Sequence, residues 1–314
     1  MSALLEVHDL VKKYDQFTAV KGISFDIQQA EIFSLLGPNG AGKTTTISML
    51  STLYAPTSGD AFIAGHSVSK EPLAVRKLIG VVPQDLAIYD DLSARENLVF
   101  WGQMYGLDGK TLNMRIDEVL EQIGLKDKSK ERAKTYSGGM KRRLNIGVGL
   151  LHKPKLLFMD EPTVGIDPQS RRAILDSVKE LNSQGMTVLY TTHYMEEAQE
   201  LSHRVGIIDH GEMIALGKQS DLTHQVGENE AVILHVGEAD NPITLANAIR
   251  GLSGVLQADV SDHTITVITP AAKEILASTI TKAAEIGIKV RSVDIHEPDL
   301  EAVFLNLTGR ALRD

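Results

Sequence analysis

The chain contains no cysteine, which excludes disulfides and thiolate chemistry and is compatible with the cytosol. It has no apolar run near the ~18 residues that a membrane-crossing helix needs. If a membrane matters to this protein, a partner spans it. The opening stretch, "MSALLEVHDLVKKY", lacks a long apolar core, so no signal peptide is expected there. Basic charge is also short: 41 acidic residues outweigh 32 basic ones, for a net charge of −9. That balance favours solubility and gives no global attraction to nucleic acid or to an anionic membrane. Neither a fixed-period repeat nor a low-complexity tract is present in the 314 residues, a length that suits one large domain or two unequal ones.

What is present is an alternation of strands and helices, the pattern of an α/β core. In "GISFDIQQAEIFSLLG", Ile23, Phe25 and Ile27 alternate with Ser24 and Asp26, the period of a strand with one buried face. Ile32–Leu36 is mostly apolar, as in a central strand. A glycine-rich loop follows, then a helix with Ile47, Leu50 and Leu53 at helical spacing. Ser93 and Glu96 in "SARE" form a capping box that opens a helix running through Trp101. Leu112, Ile116, Val119, Leu120 and Ile123 make one apolar stripe, and Gly124 stands just past its end. Pro154 ends the next helix, and "KLLFMDE" is a buried strand. Pro168 starts a helix that Gly185 closes, and "MTVLYTTH" is a further buried strand. "RVGIIDHGEMIALG" is a hairpin turning at Asp209, His210 and Gly211. Residues 217–230 are polar and read as a boundary. Beyond them the order strand, helix, strand, strand, helix, strand predicts a small ferredoxin-like α+β domain.

The loop "GPNGAGKT", residues 37–44, fits G-x-x-x-x-G-K-[ST] with a strand before it and a helix after it. Its glycines let backbone N–H groups converge on phosphate oxygens at the positive end of a helix. Lys43 is placed to reach the β- and γ-phosphates, and Thr44 to ligate Mg²⁺. Asp160 and Glu161 end the strand "LLFMD". The first carboxylate suits Mg²⁺ and the second suits polarising an attacking water. His193 ends "LYTTH" at the same strand edge, within reach of a γ-phosphate. Gln84, in "VVPQD", offers a loop amide near metal and water. Tyr14 is placed either to stack on adenine or to cap the first strand.

A second anion-binding turn, "TYSGGMKRRL", follows far downstream, with Ser137, Gly138 and Gly139 opening a helix. One ATP does not need two such turns in one subunit. The economical answer is that these residues complete the γ-phosphate site of a second copy, reciprocally, in a two-fold dimer. Lys141, Arg142 and Arg143 read as a solvated face of that helix.

Together these motifs resemble the ATP-binding cassette (ABC) family, over roughly residues 4–223. "GPNGAGKT" resembles its Walker A loop, "LLFMDEP" its Walker B strand and "YSGGM" its signature, and "GIDP", with Asp167, resembles its D-loop. The resemblance implies a P-loop NTPase core with an antiparallel β-subdomain and a helical subdomain at about 86–152. It places the ATPase domain at 1–222 and an accessory or dimerisation domain at 230–314. ATP and Mg²⁺ are the implied cofactors. Nucleotide contacts fall to Tyr14, to Gly37, Pro38, Asn39, Gly40, Ala41, Gly42, Lys43, Thr44 and Thr45, and across a homodimer to Ser137, Gly138, Gly139 and Asp167. Glu161, His193 and Gln84 take the catalytic roles, and Thr44, Gln84 and Asp160 the metal. The sequence departs from the commonest signature at Tyr136, where Leu is usual, and at Met140, where Gln is usual. Phosphate contact from Ser137 and the glycines is kept; ribose contact from position 140 is not implied.

The ending "HEPDLEAVFLNLTGRALRD" is similar to that of bacterial drug-exporter ATPases of the daunorubicin-resistance type. It also reads as an amphipathic helix packing through Leu300, Val303, Phe304 and Leu307. The expectation is an ATP-hydrolysing subunit on the cytoplasmic face of the membrane, powering export through a separate permease, with no nucleic-acid partner. Two alternatives are a non-transport ABC protein acting on ribosomes or nucleic acid, and a regulatory cassette without turnover. The first usually carries two cassettes or a coiled-coil insertion, and neither is seen here. Glu161 and His193 argue against the second.

Overall fold

The computed structural model describes residues 3–226, 230–237, 241–296 and 299–308. They form two compact units, divided in sequence between Lys218 and Gln219.

The first unit opens with the hairpin β1 (Ala3–Tyr14) and β2 (Phe17–Gln28), followed by β3 (Ile32–Leu36) and α1 (Lys43–Leu50). Next come β4 (Ser58–Ile63), β5 (His66–Ser67), α2 (Pro72–Arg76) and β6 (Ile79–Val82). Three helices follow: α3 (Ala94–Met104), α4 (Gly109–Gln122) and α5 (Gly138–Leu150). The unit closes with β7 (Leu156–Asp160), α6 (Pro168–Ser183), β8 (Thr187–Thr192), α7 (Met195–Leu201), β9 (Arg204–Asp209) and β10 (Glu212–Gly217).

One sheet has the order β10-β9-β3-β8-β7-β6, parallel except for the β10 edge. Its central strands β3, β7 and β8 are buried at every residue, as two covered faces require. A second, antiparallel sheet has the order β2-β1-β4-β5. Ile23, Phe25 and Ile27 bury the inner face of β2, and Phe25 stacks on Phe33 of β3 with ring centroids 5.1 Å apart. The helical stretch packs through the expected stripe of α4, all five residues being buried. The Ser93–Glu96 capping box is present at α3, an arrangement that stabilises a helix start by about 1 kcal/mol. Leu53 departs from the expectation. Helix α1 ends at Leu50, and Leu53 lies in the following turn, 68% exposed.

The second unit runs α8 (Gln219–Val226), β11 (Glu230–Val236), α9 (Pro242–Ile249), β12 (Gln257–Ser261), β13 (Thr264–Thr269), α10 (Ala272–Glu285), β14 (Val290–His296) and α11 (Leu300–Thr308). Its sheet order, β12-β13-β11-β14, all antiparallel, is that of a split βαβ fold. The polar stretch read as a boundary carries helix α8, which packs on α11. Leu222, Leu300, Val303 and Phe304 are buried, whereas Leu307 is 44% exposed and is not part of the packed stripe. Residues 227–229 of that boundary, and 297–298 and 309–314 of the ending compared with drug exporters, lie outside the described residues.

Candidate functional site

Strand register gathers the site. Leu36 of β3 lies opposite Thr192 of β8, and Asp160 of β7 lies opposite Thr191. The next residue along each strand is Gly37, His193 or Glu161. Three separate motifs therefore meet at the carboxyl edge of the sheet, where open α/β sheets bind ligands. Glu161 leaves its strand with φ 44°, a left-handed conformation rare for a side-chain-bearing residue. Its N–H donates to Thr191 Oγ1 at 3.0 Å, which holds the turn.

The Gly-rich loop wraps the start of α1. Gly42 has φ 109°, and a Cβ there would stand 2.8 Å from the Ala19 carbonyl oxygen, so both conformation and space demand glycine. Lys43 Nζ donates to the carbonyls of Gly37 (2.6 Å) and Pro38 (3.0 Å) and pairs with Glu161 Oε1 at 2.9 Å. The other Glu161 oxygen, Oε2, is 3.0 Å from His193 Nδ1. This Lys43–Glu161–His193 chain is buried, each side chain under a tenth exposed. Beside it, Asp160 accepts from Thr191 Oγ1 at 2.6 Å and shares a hydrogen bond with Thr44. Burial pushes the Asp160 carboxyl above its ordinary pKa, and the hydrogen bonds from Thr191 and Thr44 oppose that rise.

A cavity of about 360 Å³ opens over this chain. Of the predicted residues, Tyr14, Asn39, Gly40, Gly42, Lys43, Thr44, Thr45, Gln84 and Glu161 line it. Gly37, Pro38, Ala41, Asp160 and His193 stand behind that lining, Gly37 and Pro38 through their bonds to Lys43. Tyr14 stands where either of its two expected roles would place it. It ends β1, and it faces the cavity with its ring edge-to-face with Tyr54 and under the Lys12 ammonium. Phe17 was not read from the sequence. It pairs with Tyr14 across the hairpin, is 64% exposed and lines the same cavity. Its signal was only a second aromatic directly across a two-residue turn from Tyr14.

Ser137, Gly138, Gly139 and Asp167 do not line this cavity. Ser137 caps α5 by accepting from the Met140 N–H at 3.3 Å, and Asp167 caps α6 by accepting from the Ser170 N–H at 2.9 Å. Hydrogen bonds from Ser170 hold the exposed Asp167 carboxyl below its usual pKa. A Cβ on Gly139 would sit 2.2 Å from Ser170 Oγ, so glycine lets the two capped helix starts approach. Tyr136, where Leu is usual, is buried and donates its hydroxyl to the Lys128 carbonyl at 2.6 Å. Met140 packs against the helical core.

The three cations after the signature are not a solvated face. Arg142 is 4% exposed and donates to the carbonyls of Pro83 (2.9 Å) and Gln84 (2.8 Å), and burial lowers its pKa. Asn145 Oδ1 accepts from the Ala87 N–H at 3.0 Å, so one face of α5 grips the Gln84 loop by its backbone. Lys141 pairs with Asp90 at 2.7 Å. Arg143 donates to the carbonyls of Ile123 and Gly124, closing the end of α4. The helical spacing of Gly139, Arg142 and Asn145 was the available signal, masked by the charge of its middle member.

The family description "ABC transporter" matches residues 20–164. The linearmycin resistance ATP-binding protein LnrL of Bacillus subtilis (strain 168) is 48% identical to this chain, over 99% of the chain and 100% of the relative. The chain belongs to the ABC transporter family. The daunorubicin/doxorubicin resistance ATP-binding protein DrrA of Streptomyces peucetius is 38% identical, over 99% of this chain and 94% of its own. Among solved structures, a dimeric post-hydrolysis ATP-binding cassette bound to ADP and Pi gives a TM-score of 0.62 at 25% identity, over 68% of this chain and 98% of that one.

As an ABC ATP-binding subunit, the chain takes ATP with Mg²⁺ and hydrolyses it. Subunits of this kind dimerise and work with a membrane permease. The residues present fit the metal. Thr44 and Asp160 offer hard oxygens one hydrogen bond apart, and Mg²⁺ needs only roughly one or two protein oxygens when phosphates supply the rest. No helix among the described residues is long and apolar enough to cross a membrane.

Proposed function

We propose that this chain is the ATPase subunit of a drug exporter and that its chemistry runs through the Lys43–Glu161–His193 chain. Tyr14 carries the adenine, and the backbone of residues 37–45 cradles the phosphates. Lys43 places its charge on the β/γ-phosphate oxygens. Glu161 accepts the proton of the attacking water, and His193 orients that carboxylate and faces the γ-phosphate. Mg²⁺, held by Thr44 and Asp160 with Gln84 in reach, supplies charge neutralisation on the phosphates. Ser137, Gly138, Gly139 and Asp167 serve the partner's ATP in a homodimer. Drug-like cargo is supported by the names of the relatives, and it passes through a separate permease that holds the chain at the inner membrane face. The residues beyond the ATPase unit form an accessory domain that supports assembly.

The observation that carries this reading is the buried pair in which Glu161 touches Lys43 through one oxygen and His193 through the other. Glu161 also competes with phosphate for Lys43. Glu161→Gln should therefore lower kcat by about a hundredfold or more while MgATP binds at least as tightly as to the parent. Lys43→Ala should lose tight MgATP binding. Stopped turnover assays and equilibrium nucleotide binding test both. Parental turnover in Glu161→Gln removes the base assignment, and parental affinity in Lys43→Ala removes the phosphate-loop assignment.

A further inference from the structure

Helix α7 carries a carboxylate that the chemistry above does not use. Glu197 is 2% exposed. Its Oε1 accepts from Thr163 Oγ1 at 2.6 Å, and its Oε2 accepts from Tyr190 Oη and Thr192 Oγ1, both at 2.9 Å. Arg171 Nε lies 3.5 Å from Oε1, and the same guanidinium sits 4.2 Å over the Tyr194 ring. A carboxylate removed from water persists where donors surround it, and here three hydroxyls and a cation do so.

The donors come from the flanks of the catalytic pair. Thr163 lies two residues beyond Glu161. Thr192 immediately precedes His193, and its Oγ1 also accepts from the Tyr194 N–H at 2.9 Å. Tyr194 immediately follows His193. Arg171 belongs to the first turn of α6, the helix that Asp167 caps. Glu161 itself has φ 44°, a conformation that persists when its surroundings hold it. Thr191 holds it from the β8 side, and the Thr163 tether holds the chain just beyond it. Burial, with the Glu197 charge second, pushes the Tyr190 phenol well up, so Tyr190 remains a donor.

We propose that Glu197 is a positioning residue: it ties the segments on both flanks of the Glu161–His193 hydrogen bond and keeps those two side chains aligned on the γ-phosphate of MgATP. This rests on the catalytic reading of Glu161 given above. An amide at 197 has one acceptor oxygen for three hydroxyl donors, and its NH₂ faces groups that themselves donate. The misalignment falls on the chemical step and leaves nucleotide binding, which belongs to residues 37–45 and Tyr14, in place.

The test uses the full chain and steady-state MgATP hydrolysis, with Glu161→Gln measured in parallel. Glu197→Gln should lower kcat by roughly ten- to a hundredfold, with KM for MgATP within about twofold of the parent. Thr163→Val, which removes one tether, should lower kcat by a smaller factor, and Thr163→Ser should restore it. The double variant Glu197→Gln/Thr163→Val should be no slower than Glu197→Gln alone, because both act through one network. If Glu197→Gln does not fold, the Thr163 pair decides: slow Val with parental Ser supports the tether, and parental turnover in both overturns it. Parental kcat in folded Glu197→Gln overturns the proposal, as does a purely additive double variant. If Glu161→Gln turns over like the parent, the catalytic reading fails and this inference with it. If Glu161→Gln is inactive and the Glu197 and Thr163 variants are parental, only this inference fails.

Discussion

Asp160 and Glu161 are neighbours in sequence with opposite surroundings. Glu161 meets a cation and an imidazole; Asp160 meets hydroxyls, and burial raises its pKa. The native chain therefore holds the Asp160 proton more tightly than the unfolded chain does. This group adds stability below its unfolded pKa, and that contribution is lost as the pH rises through its raised native value. Once ionised, this buried carboxylate is a cost carried for metal binding. Asp160→Asn should raise the melting temperature of the metal-free chain at neutral pH by roughly 1–3 °C while Mg²⁺-dependent turnover collapses. The stability gap should narrow as the pH falls toward the carboxylate range. Scanning calorimetry across pH checks this, and a variant that melts at or below the parent at neutral pH contradicts it. Residues like these were legible in the sequence because a motif fixes both their type and their spacing. Arg142 and Glu197 were not. Each is a charged residue whose burial depends on backbone carbonyls or hydroxyls from distant segments, and local pattern assigns such residues to solvent.

At the scale of elements, what the sequence shows depends on whether the signal is local. Capping at Ser93, the stripe of α4, the turn at His210 and Gly211 and the buried strands β3, β7 and β8 are local, and all were readable. Helix α8 was not, because its sequence is polar and, among its described side chains, Leu222 alone is buried. Its structure comes from packing on α11, whose Leu300, Val303 and Phe304 are buried. Tertiary contact overrides weak propensity in such cases. The pairing has a consequence for where the chain can be cut. A chain ending at Lys218 should stay soluble and bind MgATP within about threefold of the full chain, a change under 1 kcal/mol. A chain ending at Gln225 keeps most of α8 without α11, exposes Leu222 and should be more prone to self-association or proteolysis. Both should dimerise more weakly than the full chain if the second unit supports assembly. Sedimentation and nucleotide titration of the three chains separate these outcomes, and loss of binding in a folded chain ending at Lys218 would show that the units do not function separately.

At the scale of the whole molecule, one chain carries a complete phosphate cradle and, outside its cavity lining, a second capped helix start with two glycines. Ser137 and Gly138 are exposed, and so is Asp167, whose helix packs on α5. An exposed anion-binding turn has a use when a second copy brings its own ATP to it, and two-fold symmetry makes the exchange reciprocal. Mixed dimers test this. One chain carries Lys43→Ala and the other Ser137→Arg. If the sites are shared, one composite site holds both lesions and the other holds none. The mixed dimer should then recover up to about half of parental turnover, one sound site of two. Each homodimer, with a lesion in both of its sites, should remain near background. If each chain instead used its own Ser137, both sites of the mixed dimer would be damaged and no recovery would follow. Tagging the two chains differently and isolating the doubly tagged species ensures that the measured activity belongs to the mixed dimer. Background activity in that species would contradict a dimer with two independently working shared sites, because the chain that keeps Lys43 binds MgATP in either arrangement.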